Sequence, residues 1–76
     1  MTKIKVYSTD TCPYCVMAKD FFKEQNIEFE EINVAMDRNG AEEMVEKSGQ
    51  MGVPVIDIDG TIIIGFDKKK IESVLN

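Results

Sequence analysis

The chain has 76 residues, enough for one compact domain with one hydrophobic core, and we expect a single domain over residues 1–76. Its formal net charge of -5 argues against binding to nucleic acid, because no basic stripe is available to neutralise phosphates. The first residues lack a signal-peptide-like apolar segment, and the longest aliphatic run, at residues 62–64, is too short to cross a bilayer. We therefore expect a cytoplasmic monomer that binds neither nucleic acid nor a membrane.

The first predicted elements are a strand and a helix. Residues 3–8 alternate Ile4 and Val6 with lysines, which is the period of a half-buried strand. From Pro13 onward, apolar residues recur every three or four positions, which predicts an amphipathic helix ending near Gln25. The methionines of the chain are expected to fill the core. The buried face of the helix is expected to contain Met17, Ala18, Phe21 and Phe22.

The second pair of predicted elements is less regular. Residues 28–34 place apolar side chains among acids with imperfect alternation, which predicts a strand with a bulge at residues 30–31. Asp37 or Asn39 is expected to cap the helix that follows, the latter as part of a capping box. Gly49 is expected to end this helix, because glycine readily adopts the left-handed conformation of a helix C-terminus.

The last predicted elements are a hairpin and a helix. Asp59-Gly60 separates two aliphatic runs, residues 55–58 and 61–64, and this dipeptide strongly favours a tight turn between antiparallel strands. Asp67 is expected to cap a final helix. The predicted order is β-α-β-α-β-β-α, with the first two strands parallel through a right-handed crossover. The fold class is therefore α/β, with a four-stranded mixed sheet and helices on both faces.

Both cysteines lie in Cys12-Pro13-Tyr14-Cys15, where the first strand gives way to the first helix. Two thiols at this spacing can form a disulfide with each other, so the segment predicts a reversible dithiol centre. Cys12 lies at the amino end of the helix, where unpaired N–H groups and the helix dipole favour a thiolate. Pro13 suits the first turn, where its missing N–H is not needed. Cys15 is one turn farther in and better shielded. We therefore expect Cys12 to attack a disulfide and Cys15 to resolve the mixed disulfide.

Three segments resemble the hallmark segments of the glutaredoxin family, and they occur in the same order: Thr11-Cys12-Pro13-Tyr14-Cys15, Gly52-Val53-Pro54 and Gly65-Phe66-Asp67. The resemblance spans nearly the whole chain. It implies a thioredoxin-like fold and a thiol–disulfide oxidoreductase that reduces protein disulfides, glutathione mixed disulfides, or both. It also implies no bound cofactor, with glutathione as the co-substrate. The Gly-Phe pair further resembles glutaredoxin-like electron donors of ribonucleotide reductase, which are reduced by thioredoxin reductase.

The resemblance also implies a substrate site. Pro54 would be a cis proline facing the cysteines, leaving the Val53 backbone free to pair with an incoming peptide or glutathione. The backbone N–H groups of Phe66 and Asp67 would hold a carboxylate, as a helix amino terminus readily does. The residues implied in substrate contact are Thr11, Tyr14, Val53, Pro54, Gly65, Phe66 and Asp67. Several also have a structural interpretation, such as a turn at Val53-Pro54, a bend at Gly65, a helix cap at Asp67 or an ordinary surface aromatic at Tyr14.

Two positions depart from the glutaredoxin pattern. Members of the family that use glutathione usually carry a lysine or arginine three residues before the first cysteine, but here that position is Thr9, followed by Asp10. The last helix of such members often opens with two aspartates, but here Asp67 is followed by Lys68. A lysine at this position would repel the ammonium group of glutathione. The reductant could therefore be glutathione or a thioredoxin-reductase-like flavoprotein.

The dithiol segment has alternative interpretations based on metals. A soft-metal chaperone also places Cys-x-x-Cys between a strand and a helix, but its element order is β-α-β-β-α-β and it has no need of Pro13 or Pro54. A zinc site within one chain would need four ligands, and this sequence has no histidine and only two cysteines. A dimer bridging an iron–sulfur cluster is less favoured, because Pro13-Tyr14 differs from the Gly-Phe-Ser sequence of cluster-carrying relatives.

Overall fold

A computed structural model describes residues 3–75 of the chain. Its seven elements follow the predicted order, which confirms the predicted fold class. No helix within residues 3–75 is both long enough and apolar enough to span a bilayer. The elements are β1 (Ile4–Ser8), α1 (Pro13–Glu24), β2 (Glu30–Asn33), α2 (Arg38–Ser48), β3 (Val55–Ile58), β4 (Thr61–Ile64) and α3 (Lys68–Leu75).

The four strands form one mixed sheet in the order β2-β1-β3-β4. β1 and β2 run parallel, whereas β3 is antiparallel to both β1 and β4. Tyr7 pairs with Val55, and Val55 pairs with Ile64 on its other side. The carboxyl ends of β1, β2 and β4 therefore lie at the same edge of the sheet as the amino end of β3. We call this edge the site edge, because it brings the connections that follow β1 and precede β3 together.

Hydrophobic side chains pack on both faces of the sheet. α1 and α3 cover one face, where Phe22 and Ile71 are completely buried against strand residues. α2 covers the other face, where Met44 packs with Tyr7 and Val55. Burying a large aliphatic or aromatic side chain contributes about 1.5–3 kcal/mol. The larger cluster, between the sheet and the α1/α3 layer, consists of Ile4, Val6, Ala18, Phe21, Phe22, Ile56, Ile58, Ile63 and Ile71.

A polar network fastens α2 to the sheet. The Lys47 ammonium group donates to Asp57 at 2.7 Å and to the Tyr7 hydroxyl at 3.1 Å, and the Tyr7 hydroxyl in turn donates to Glu43. Lys5 and Lys47 also form ion pairs with Glu43. Hydrogen bonds from Tyr7, Lys47 and Lys5 lower the pKa of Glu43 to about 2. The network joins α2 to β1 and β3, the two central strands.

The predicted bulge in the second strand is wrong. β2 is shorter than predicted, and its pairing with β1 runs without interruption from Lys5↔Glu30 to Ser8↔Asn33. The irregular sequence pattern has a different cause, because Phe29 lies before the strand and packs against the α1/α3 core, 5.6 Å from the Phe22 ring centre. The neighbouring acids of β2 are exposed at the edge of the sheet.

The prediction that Asn39 caps α2 in a capping box is also wrong. The cap is Asp37, the other candidate, whose carboxylate accepts the N–H of Gly40 at 2.9 Å. Gly49 ends the helix at φ 74°, as predicted. Asn39 instead lies in the first turn of the helix, directly before Gly40, whose N–H is bound by Asp37.

Among the methionines of residues 3–75, only Met44 fills the core as predicted. Met17 is exposed although it lies on α1, and Met36 and Met51 are 82% and 81% exposed in connections between elements. Met1 lies outside the described residues. Spacing alone overestimated the width of the buried face of α1. That face consists of Cys15, Ala18, Phe21 and Phe22 and does not include Met17.

Candidate active site

The two cysteines differ in their access to solvent. Cys12 is the N-cap residue of α1 and is partly exposed, and its sulfur accepts the backbone N–H of Cys15 at 3.1 Å. Cys15 faces the sheet and is completely buried. Both are free thiols. Pro13 occupies the first helical turn, where an N–H would have no partner within the helix. Cys12 is therefore the thiol that an incoming disulfide can reach.

The surroundings of Cys15 keep its thiol protonated. Burial raises the pKa of Cys15 to about 12, and the hydrogen bond with Cys12 acts in the same direction. The backbone of Thr9 forms a hydrogen bond that favours the charged form and so opposes this rise. The Cys12 sulfur, by contrast, is partly exposed at the amino end of α1 and accepts the Cys15 N–H. The arrangement suits one attacking sulfur and one that reacts second.

The Val53-Pro54 segment lies at the site edge, directly before β3. The peptide bond between these two residues is cis, as the resemblance implied. Pro54 is buried, and its carbonyl accepts the N–H of Gly65 at 2.8 Å. Val53 is partly buried against the α2 side of the core. This hydrogen bond holds the second and third hallmark segments next to each other.

The third hallmark segment is well explained by local structure. Gly65 has φ of 79°, a left-handed conformation that favours glycine. The Asp67 carboxylate accepts the N–H of Lys70 at 3.2 Å and so caps α3. Phe66 packs against the α1/α3 core, 6.1 Å from the Phe21 ring centre. The structural interpretation of Gly65 and Asp67 therefore holds, and a carboxylate-binding role for this segment stays a prediction.

Two further site residues are exposed. Thr11 precedes Cys12, and Tyr14 is 63% exposed between the cysteines. Tyr14 is free to contact a bound molecule, because its ring does not take part in the core. Met36, Met51 and Ile64 are also exposed and belong to the segments that meet at the site edge. The sequence analysis did not assign these three residues to the site, although Ile64 ends a predicted strand and the two methionines lie in predicted connections at the same edge.

The residues that depart from the glutaredoxin pattern have partners of their own. Asp10 accepts a hydrogen bond from the Asn33 side chain at 3.0 Å, which ties the segment before Cys12 to the end of β2. The Lys68 ammonium group lies 5.7 Å from the centre of the Phe21 ring on α1. A cation in this position over an aromatic face is attracted to the ring but keeps its charge, so the expected repulsion of the ammonium group of glutathione stays a prediction. Thr9 leaves the position of the usual cation without a charge.

Two cysteines spaced Cys-x-x-Cys at the amino end of a helix, on a four-stranded mixed sheet that also has a cis proline before one strand, are the features of a thiol–disulfide oxidoreductase of the thioredoxin fold. The sequence profile of the Glutaredoxin family matches residues 4–63. The chain belongs to the glutaredoxin family.

Individual proteins agree with this assignment. An uncharacterised glutaredoxin-like 8.6 kDa protein of the rubredoxin operon of Clostridium pasteurianum is 51% identical over 72 residues, which are 95% of this chain and 96% of the relative. The crystal structure of a mutant of the thioredoxin-like protein BC3987 superposes with a TM-score of 0.90 at 33% identity, covering 96% of this chain and 99% of that protein. The glutaredoxin-like protein NrdH-redoxin of Escherichia coli, described as having a thioredoxin-like activity profile, has a TM-score of 0.84 at 25% identity, covering 95% and 93%.

Proposed function

We propose that this chain reduces disulfide bonds of partner proteins through a Cys12/Cys15 dithiol cycle. The observation that carries the proposal is the contrast between the two sulfurs. Cys12 is partly exposed and accepts an N–H at the helix start, whereas Cys15 is buried beside it. A thiolate is the attacking species in thiol–disulfide exchange, and access selects which thiol attacks.

The cycle has two exchange steps. The Cys12 thiolate attacks one sulfur of the target disulfide, forming a mixed disulfide, and the displaced sulfur leaves as a thiolate that takes up a proton. Cys15 then gives up its proton and attacks the Cys12 sulfur, which releases the second target thiol. The target has gained two electrons, and Cys12 and Cys15 are left joined by a disulfide. An external thiol or dithiol must then reduce that disulfide.

The site edge favours a protein over a small thiol as the target. Exposed large apolar side chains lie on α1 (Tyr14), at the end of β4 (Ile64), and in the connections after β2 (Met36) and before β3 (Met51). Methionine is adaptable and common at surfaces that bind several partners. The Val53 backbone beside cis Pro54 supports antiparallel pairing with an extended segment of the target. Thr11, Gly65, Phe66 and Asp67 complete the proposed contact surface.

The external reductant has two candidates. Glutathione is the usual reductant of the family, and we propose that it would contact the same surface. A thioredoxin-reductase-like flavoprotein is favoured by a specific observation, because Thr9 supplies no cation and the nearby Asp10 carboxylate is held in place by Asn33. The likeness to NrdH-redoxin, with its thioredoxin-like activity profile, supports this second candidate, including electron donation to an enzyme such as ribonucleotide reductase.

One assay tests the proposal and separates the reductants. The purified protein is given a protein disulfide, with NADPH oxidation followed in two parallel reactions, one with glutathione and glutathione reductase and one with thioredoxin reductase. We expect turnover in at least one reaction and none with a Cys12→Ser variant. Turnover only with thioredoxin reductase would assign the second reductant. Absence of turnover in both reactions would overturn the proposed function.

A further inference from the structure

The charged residues on the two sides of α2 differ in their partners. On the side that faces the sheet, Glu43 and Lys47 take part in the polar network described above. On the outer side, Glu42 and Glu46 are exposed, and neither has a lysine or arginine nitrogen within ion-pair distance among residues 3–75. Like charges four residues apart on a helix repel each other and cost about 0.2–0.5 kcal/mol. The outer charges therefore contribute nothing evident to folding.

The outer side of α2 also forms one wall of a groove. The groove is open to solvent and has a volume of about 480 Å³. Its apolar floor includes Val45, which is 37% exposed, and Met51, which is 81% exposed. Arg38 marks the end of the groove at the start of the helix. The residues that line it are Arg38, Ala41, Glu42, Val45, Glu46 and Met51.

The groove is continuous with the proposed substrate surface. Met51 lies three residues before Pro54, and the segment between them contains Val53, whose backbone is proposed to pair with the target. A protein that covers Cys12 and Val53 can therefore extend over Met51 onto the outer side of α2. The groove offers this second part of the partner an apolar floor and two carboxylates without ion pairs.

We propose that the groove docks a basic amphipathic segment of the protein partner, a surface separate from the dithiol itself. Its apolar side chains would lie on Val45 and Met51, and its lysine or arginine side chains would pair with Glu42 and Glu46. Charge complementarity favours a cationic segment, because Glu42 and Glu46 outnumber Arg38 among the charged residues that line the groove and the whole chain carries a net charge of -5. Which partner bears the segment rests on the proposed function, but the groove's preference for basic amphipathic segments does not.

Direct binding tests the surface without reference to catalysis. Isotope-labelled protein is titrated with a short synthetic amphipathic helix of leucine and lysine, and with the same peptide carrying glutamate in place of lysine. We expect the basic peptide alone to shift backbone amide signals of α2 and Met51. The Glu42→Lys/Glu46→Lys variant should lose these shifts, whereas a matched Glu24→Lys/Glu28→Lys variant, altered at exposed positions away from the groove, should retain them. Shifts that persist in the first variant would overturn the proposal.

A kinetic comparison tests whether the groove serves the partner. The same variants, and Val45→Ser, are assayed with thioredoxin reductase and with a small synthetic disulfide. We expect kcat/KM with the reductase to fall about tenfold in the groove variants, which corresponds to about 1.4 kcal/mol, with little change for the small disulfide. Equal rates for groove and control variants would overturn the proposal. Inactivity of the unaltered chain with both reductants and with the small disulfide would instead overturn the proposed function.

Discussion

The backbone N–H of Cys15 points at the sulfur of Cys12 across 3.1 Å. The buried residue therefore donates a hydrogen bond to the sulfur of the partly exposed residue. The start of α1 thus places one solvent-accessible sulfur next to one buried sulfur. This relationship gives the two cysteines different expected behaviour, which substitution and chemical labelling can measure.

Cys12→Ser is expected to abolish disulfide reduction, and Cys15→Ser to abolish it only in part. Without Cys12 no mixed disulfide can form, whereas without Cys15 the mixed disulfide forms but must be resolved by an external thiol. The measurement is the rate of reduction of a protein disulfide and of a glutathione mixed disulfide. Trapping of a target–protein adduct by Cys15→Ser is the positive control. Full activity of Cys12→Ser would refute the assignment of the nucleophile.

Alkylation is expected to modify Cys12 and to spare Cys15 in the folded, reduced protein. Cys15 is buried and its pKa is raised to about 12, so at mildly alkaline pH it is neither accessible nor ionised. The measurement is peptide mass spectrometry after brief treatment with iodoacetamide. The same treatment in denaturant should label both cysteines, which controls for peptide detection. Equal labelling of both in the folded state would contradict the geometry.

Glu43→Gln is expected to lower stability at neutral pH and to matter less in acid. The folded pKa of Glu43 is about 2, below its ordinary value, so its contribution is complete above about pH 4.5 and is lost as the pH falls toward 2. Because the side chain is 41% exposed, we expect a loss of about 0.5–1 kcal/mol only. Urea unfolding at neutral pH and near pH 3 measures the difference. A gap between variant and parent that widens in acid would refute the assignment.

Gly40→Ala is expected to destabilise the fold. A Cβ at this position would lie 2.5 Å from the Ile32 side chain, so α2 would have to move away from β2. Overpacking of this kind costs about 1–3 kcal/mol, partly offset by the better helix propensity of alanine. Gly52→Ala is the matched control, because its Cβ would make only ordinary contacts, the nearest at 3.4 Å. Thermal unfolding of both variants decides the matter, and equal stability would count against the close approach.

Ser8→Ala is expected to leave stability unchanged or to raise it by about 0.5–2 kcal/mol. The Ser8 hydroxyl is buried and has no hydrogen-bond partner among residues 3–75, so its removal relieves a desolvation cost. The measurement is the free energy of unfolding in denaturant, and an unchanged m value serves as the control for a preserved folded state. A clear loss of stability would mean that the hydroxyl has a partner.

The sequence was sufficient for the elements because their signals are local. Alternation in β1, the Asp59-Gly60 turn and the stop at Gly49 each lie within a few residues, and the structure confirms all three. The bulge failed because it depended on a contact with another element, and the capping box failed because two nearby residues could both begin the helix. Phe29 packs on α1 before β2 begins, and the choice of Asp37 over Asn39 depends on where the helix starts.

The candidate site was predictable in its parts but not in its details. Strand directions alone bring the three hallmark segments to one edge, so the placement of Cys12 and Pro54 at the same edge follows from topology. The hydrogen bond between Asp10 and Asn33 and the contact of Lys68 with the Phe21 ring could not be predicted from topology. A surface side chain adopts the rotamer that its neighbours allow, and these neighbours are distant in sequence. The exposure of Met17, Met36 and Met51 escaped prediction for another reason, because the buried face of α1 is narrower than the spacing suggests and the other two methionines lie in connections between elements.

The central pairing of the sheet has a consequence for synthesis of the chain. β1 is made first, yet it pairs with β3 through contacts such as Lys5↔Asp57, so most of the chain must leave the ribosome before the sheet can close. Contacts so far apart in sequence form late and slow folding. During that interval both thiols of the nascent chain are open to oxidants and to other cysteines. Burial of Cys15 therefore indicates that the sheet has formed. The time at which Cys15 becomes protected from alkylation during translation would show when the nascent chain completes its folding.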